Sequence, residues 1–513
     1  MRFLPIGPRT FLIELDDLDQ TLDLLDAMQV DPVPGIAEIV PGARTLMIRT
    51  KVGVLADSVM LRATMTRQSG NTPAATCTGE AVELPVTYDG EDLADVAQHM
   101  GLTVAEVIAA HQAATWQVAF CGFAPGFAYM VGDDPRFRLP RRQSPRTRIP
   151  AGAVALADQF CGVYPQATPG GWQLIGRTVV PMWDMTREPP ALLRPGVRCR
   201  FVQREASVYP VAIPAETPPS QGLRILSTAF PILFQDEGRL GHAGQGVAAS
   251  GALDLGSLRR ANRAVGNPSF AAALEITLGP VRLRAEEKMV VALAGAALAS
   301  VDGVTIPQGA AFALDPGDEV SIAPPASGMR SYLALRGGYA VPKFLGSAAT
   351  DTLAHIGPKL VTAGSVLAQA REAAGMIGAP ETQRPMPKPG EVVELPVVLG
   401  PRTDWFTSDA VQLFLTQEWL VTPQSSRVGI RLQGNAPLTR SRDRELPSEG
   451  TETGAIQVPH TGQPVLFLAD HPLTGGYPVI GTLRPDALDT AGQLPPGTRI
   501  RFVAAADFAP ISI

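Results

Sequence analysis

Apolar positions set the first outline of the chain. TFLIEL (10–15) is a short apolar run with the length of a strand, and GIAEIV and RTLMIRT flank Pro41-Gly42 as a hairpin would. Between them Leu18, Leu22, Leu25 and Met28 recur at helical spacing, and 53–68 also reads as helix. AVELPVTYD then returns to a strand, so residues 1–88 predict a βαββαβ, ferredoxin-like α/β unit. Residues 90–114 predict two short helices, the second opened by a Thr103–Glu106 capping box. From 115 onward the pattern becomes strand and turn.

A repeat runs through that β-rich remainder. PAGAVAL (150–156), TPGGWQLIG (168–176) and RPGVRCRFV (194–202) recur in the same order as ETGAIQV (452–458), LTGGYPVIG (473–481) and PPGTRIRFV (495–503). DPGDEVSI (315–322) is a weaker echo. A period this long marks duplicated domains rather than a solenoid. Closed barrels are the expected form, because closure removes exposed strand edges. Pro-rich stretches at 213–222 and 371–391 divide the chain. The expected organisation is an α/β domain over 1–88, barrels over 89–212, 223–370 and 392–513, and linkers at 213–222 and 371–391: mainly β, with a small α/β N-terminal domain.

Composition narrows the function. The chain has 513 residues, 45% hydrophobic and 18% charged, with net charge −6. That balance fits a globular protein and argues against a nucleic-acid binder. The helix pair at 90–114 carries no Lys or Arg, so it does not read as a DNA-binding helix–turn–helix. MVVALAGAAL is too short to span a bilayer, and the N-terminus does not resemble a signal peptide, so a cytoplasmic location is expected. The four cysteines have no metal-type spacing, no histidines are paired as ligands, and no metal is expected. P-loop, nucleophile-elbow and HExxH signatures are absent.

Three glycine-broken segments are dense in candidate chemistry. FCGFAPGFAYMVG (120–132) offers Gly126 for close backbone approach, and Phe127 and Tyr129 as an apolar wall with one polar tip. ILFQDEGRLGHAGQGVAASGALD (232–254) carries Gln235, Asp236 and Arg239. ADHPLTGGYPVIG (469–481) carries Asp470, His471, Thr474, Gly475, Gly476 and Tyr477. Its twin ATPGGWQLIG shows that the Gly-Gly-aromatic turn belongs to the barrel. Asp470, His471 and the Trp172-to-Tyr477 exchange are therefore the informative differences.

FCGFAPGFAYM with RTRIPAGAVALADQFCGVYPQATPGGWQLIGRT resembles the B component of bacterial ATP-dependent 5-oxoprolinase, a family also called kinase-inhibitor-like or allophanate hydrolase subunit 1. FQDEGRLGHAGQGVAASGALDLGSLRRANRAVGN, YLALRGGYAVPKFLGS, SSRVGIRLQG and GAIQVPHTGQPVLFLADHPLTGGYPVIG resemble its C component, allophanate hydrolase subunit 2. Both resemble the carboxyltransferase domain of urea carboxylase, as found in urea amidolyase. The resemblance spans nearly the whole chain in B-then-C order and implies tandem cyclophilin-like barrels with a shared site. In the C component the loop runs closer to TTVQDLGRPGY; here PILFQDEGRLGH keeps Gln235, Asp236 and Arg239 and loses the flanking threonines and tyrosine.

The resemblance implies opening of 5-oxoproline to glutamate, a hydrolase acting on a cyclic amide, with ATP and a separate A component. The alternative is a carboxyltransferase receiving carboxybiotin in trans, and a third reading is a non-catalytic inhibitor of a sensor histidine kinase. The expected roles are Asp470 or His471 as general base, Arg239 and Asp236 in the catalytic group, and Gly126, Phe127, Tyr129, Gln235, Thr474, Gly475, Gly476 and Tyr477 in substrate binding. A small-molecule substrate is expected, with no nucleic-acid or membrane partner; a homo-oligomer stays open.

Overall fold

A computed structural model describes residues 1–68, 81–142, 144, 146–204, 219, 221–442, 444 and 446–512. Most of the 213–222 linker, and Cys77, lie outside the described residues.

The N-terminal sheet orders its strands as Ile36–Pro41, Thr45–Thr50, Thr10–Glu14, Arg2–Gly7 and the C-terminal Ile511–Ser512. It is apolar on both faces, which is why TFLIEL and TLMIRT read as unbroken runs. Phe3, Phe11, Ile13, Leu46 and Ile48 meet the helices Leu18–Val30 and Ala56–Gln68. Leu4, Leu12, Val40 and Met47 face the other way, against Ala243 and Leu473 of the C-terminal half. The unit is therefore two hairpins, each followed by a helix, rather than βαββαβ. The first strand escapes the sequence pattern because Pro5, Gly7 and Pro8 interrupt it. The expected last strand, Val82–Val86, leaves this sheet and runs parallel to Arg198–Gln203 in the next.

That next sheet has seven strands, ordered Gln173–Arg177, Ala153–Ala157, Phe160–Val163, Ala128–Gly132, Trp116–Cys121, Arg198–Gln203 and Val82–Val86. A bridge between Thr87 and Arg177 brings its two edges together, so it is a nearly closed barrel. The C-terminal barrel is closed and has the same path: Val479–Leu483, Ala455–Gln457, Val465–Phe467, Gly429–Gln433, Trp419–Val421, Arg499–Ala506 and Val392–Leu399, the last two again parallel. The sequence repeat is thus a repeat of topology. It extends into the cores. Trp116 Nε1 donates to the His111 carbonyl at 3.2 Å, and Trp419 Nε1 to that of Phe414 at 3.1 Å. His111 lies 4.4 Å from the Phe201 ring, as Phe414 lies 4.6 Å from Phe502. His111 is accordingly a core residue, and burial drives its pKa down to about 3.

The middle unit is built from a six- and a five-stranded sheet that share one core, with Val320 and Ile322 of the DPGDEVSI echo inside it. Residues 371–391 lack helix and strand but are tied down: Gly375 N donates to Gly266 O at 2.7 Å, and Arg384 pairs with Asp254 at 3.0 Å. The Thr103–Glu106 capping box is present. Among the described residues no helix is long and apolar enough to cross a membrane, and no cluster of acidic, His or Cys side chains could hold a metal. Strand is the dominant regular structure, and the chain is a tandem of β-barrel units with a small α/β domain.

Candidate functional site

Three loops meet where the two halves of the chain touch. The turn after Trp116–Cys121 places Phe123 (φ 66°) and Gly126 (φ 76°) in the left-handed region. Phe123 N donates to Thr474 Oγ1 at 3.2 Å, and Gly126 N donates to Gln245 O at 3.0 Å. Gly122 is obligatory, since a Cβ there would stand 2.3 Å from Thr474 Oγ1. Gln166 Nε2 reaches Leu353 O at 3.2 Å, joining the first barrel to the middle unit. The structure therefore brings the 120s loop, the 240s loop and the 470s loop together.

It does not leave all of their side chains available. Phe127 and Tyr129 are buried in an aromatic cluster, with Tyr129 stacked on Phe120 at 4.4 Å and Phe127 at 5.4 Å from Trp172. Gly475 makes room for Gln457, and Gly476 lies against Leu446 O. Tyr477 is exposed, beneath Arg440 and beside His460.

Asp470 was an expected general base, and its surroundings argue against that role. Its Oδ1 accepts from Ser250 Oγ at 2.7 Å and Arg427 Nη2 at 3.0 Å. Its Oδ2 accepts from Arg427 Nε at 2.9 Å, Thr352 N at 2.9 Å and Thr352 Oγ1 at 2.7 Å. Burial opposes ionisation, but Arg427 and these donors hold the carboxyl below its usual range. With its lone pairs committed, the group is a structural anchor. Asp236 is similarly spent on Ser347 Oγ, Gly238 N and Ala348 N at 2.6–2.8 Å. His471 is buried, which lowers its pKa, and its Nδ1 lies 2.9 Å from Pro472 O. As a neutral imidazole it keeps Nε2 as a base.

Two expected residues retain unused capacity. Arg239 is buried and its guanidinium is held by the carbonyls of Phe344 and Ala349, with Nη1 unpaired. Gln235 donates to Thr350 O at 2.8 Å and leaves Oε1 unpaired. Beside them stands a carboxyl that the motifs did not reveal, Asp351. Its Oδ1 accepts from Leu353 N at 2.9 Å and Ala354 N at 2.8 Å. Burial and the neighbouring Asp470 charge push its pKa up to about 7, against the pull of Arg239. It lies in SAATDTLAHIG, where no recognisable motif distinguishes it.

A carboxyl raised in the fold stabilises below its unfolded pKa of 3.8, and that stability is lost as pH rises through about 7. Asp351→Asn is therefore expected to flatten the pH dependence between these values and to raise stability at pH 8 relative to wild type. Urea midpoints at pH 5 and pH 8 check this; a variant that loses as much as wild type on going to pH 8 contradicts it.

The carboxyltransferase domain, subdomain A and B, matches residues 245–504, and the carboxyltransferase domain, subdomain C and D, matches residues 1–193. The chain is 36% identical over 285 residues to the C component of 5-oxoprolinase from Escherichia coli (strain K12), covering 55% of this chain and 90% of that protein. It is 37% identical over 187 residues to the B component of 5-oxoprolinase from Escherichia coli O157:H7, covering 36% of this chain and 84% of that protein. Urea amidolyase of Saccharomyces cerevisiae is 35% identical over 288 residues, covering 52% of this chain but 16% of that protein. The crystal structure of TTHA0988 superposes with a TM-score of 0.84 at 35% identity, covering 96% of this chain and 99% of that one.

Proposed function

The chain belongs to the carboxyltransferase-domain family, with subdomains C and D ahead of A and B in one polypeptide, and from that premise we propose that it is the fused B–C component of an ATP-dependent 5-oxoprolinase. It opens a cyclic amide together with a separate protein like the A component of that enzyme. The observation that carries this reading is coverage. One chain spans 84% of a B component and 90% of a C component in succession, and its two halves are joined by the Phe123–Thr474 and Gln166–Leu353 contacts.

Lactam opening needs a polarised carbonyl, a proton acceptor for water and a site for the substrate carboxylate. Arg239, with its free Nη1, is the candidate for the anionic group. Asp351 takes the proton-accepting role expected of Asp470, because its carboxyl is not saturated by donors and titrates near neutrality. His471 Nε2 is the second base. ATP, when bound, supplies the driving force by phosphoryl transfer. A second reading, transfer of a carboxyl group from carboxybiotin to an amide nitrogen, is favoured by the family description and by the urea amidolyase match.

The test is reconstitution of the full chain with an A-component protein and measurement of 5-oxoproline-dependent ADP release. Stoichiometric ADP and glutamate support the proposal. Absence of ADP release, with label passing from carboxybiotin to an amide, selects the second reading.

A further inference from the structure

A cavity of about 710 Å³ opens at a different junction, where the start of the first helix, the first barrel and residues 446–448 of the C-terminal half converge. Leu18, Leu139, Phe160 and Leu446 give it a buried apolar wall. Its charges are nearly balanced, and several are already committed within the fold. Asp17 caps the first helix, its Oδ1 accepting from Gln20 N at 2.8 Å. Asp158 meets Arg141 at 3.3 Å. Arg44 donates through Nε and Nη2 to Leu15 O at 3.3 and 3.2 Å, which fixes its guanidinium and leaves Nη1 over. Three charged side chains of the lining are exposed and have no partner among the described residues: Asp16 and Asp19 on the N-terminal unit, and Arg138 on the first barrel. The half-buried amide of Gln159 has none either.

We propose that this cavity binds a short apolar peptide by both of its free ends, an assignment that goes beyond the lactam-opening reading and does not rest on it. The volume falls within the range of small-ligand pockets, roughly 300–1,000 Å³. A simple anion would face Asp16 and Asp19 uncompensated, and a simple cation would face Arg138 and the Nη1 of Arg44 in the same way. A free peptide is neutral overall and answers both signs. Asp16 and Asp19 accept from its α-ammonium, and Arg138 donates to its terminal carboxylate, the group that a guanidinium fork matches. A single amino acid carries both charges on one Cα and cannot separate them between two units of the fold. A sphere of the cavity's volume is about 11 Å across, the span of about three extended residues. Between the ends, the Gln159 amide offers a donor and an acceptor, which is what a peptide group requires. The apolar wall takes the side chains.

The test is calorimetric titration of the full chain with the tripeptide Leu-Ala-Leu. Its N-acetylated form, its C-terminal amide and free leucine are the comparison probes. Each blocked form is expected to bind about tenfold more weakly than the free tripeptide, and leucine more weakly still. Arg138→Gln is expected to weaken the free tripeptide about tenfold while leaving the value for the C-terminal amide as in wild type. Asp16→Asn/Asp19→Asn is expected to weaken the free tripeptide while leaving the value for the N-acetylated form as in wild type. These positions are exposed and unpartnered, so the variants should fold as wild type does. A wild-type chain that does not bind Leu-Ala-Leu, or binds the blocked forms or leucine as tightly, overturns the assignment. So does an Arg138→Gln chain that binds the free tripeptide as wild type does.

Discussion

Arg427→Met is expected to loosen the seam between the middle unit and the C-terminal barrel, at a cost of about 3–5 kcal/mol. Arg427 sits on the turn before Gly429–Gln433 and is buried. Besides its two bonds to Asp470, Nη1 donates to Glu275 and Nη2 donates to Gly251 O at 2.6 Å. Glu275 also accepts from Tyr332 at 2.7 Å and Leu253 N at 3.2 Å. One guanidinium therefore bridges two buried carboxylates from different units, and removing it takes from Asp470 its ion-pair partner and leaves Glu275 with the more distant Arg330, at 3.9 Å. The Asp470 carboxyl, which Arg427 holds below its usual range, then titrates higher, so the deficit of the variant should grow as pH increases. The chain has several domains, so a single unfolding midpoint is a blunt probe. Hydrogen exchange at 250–254 and 350–354 is the direct one, and protection there equal to wild type would contradict the expectation. Adding Asp470→Asn should recover part of the loss, since one stranded charge is gone.

The second large effect is expected at Gly122. Gly122→Ala puts a methyl 2.3 Å from Thr474 Oγ1 and 2.7 Å from its Cγ2. Thr474 lies on a strand paired with Glu449–Gly450 and has little room to turn. The loop must retreat, with loss of the Phe123 N–Thr474 hydrogen bond, at a cost of about 1–3 kcal/mol for overpacking and about 1 kcal/mol for the bond. A shared B–C site should lose most of its activity. Gly122→Ala/Thr474→Ala removes both offending atoms and leaves only Cβ, at 3.1 Å. The double variant should be more stable than Gly122→Ala alone. Thermal midpoints of the four-member cycle decide it, and strict additivity would mean that the two residues do not meet.

Much of the architecture was legible because it is written twice. The ordered Gly-Ala, Gly-Gly-aromatic and Pro-Gly-x-Arg landmarks map onto two barrels with one strand path. The first helix was legible from Leu18, Leu22, Leu25 and Met28, all buried except the half-buried Leu22. Partner choice was not. Val82–Val86 looks the same whether it pairs with Thr45–Thr50 or with Arg198–Gln203, because strand pattern records burial and not neighbour. The site was legible as a set of loops but less so in its chemistry. Asp470 and Asp351 are both loop aspartates in the sequence; only the donors around them, supplied by Ser250, Thr352 and Arg427, distinguish an anchor from a titratable group. The cavity wall is assembled from segments near 16, 44, 138, 159 and 447, and no local motif joins them.

The pairing of Arg2 and Phe3 with Ser512 and Ile511 has a consequence for gene architecture. Residues 2–3 and 511–512 are neighbours in one sheet, so a short covalent bridge between these two strands would close little loop entropy. Opening the resulting circle between the two halves would give a circular permutant in which the C half precedes the B half and every contact described above is kept. The contacts between the halves are thus indifferent to which half comes first in the chain.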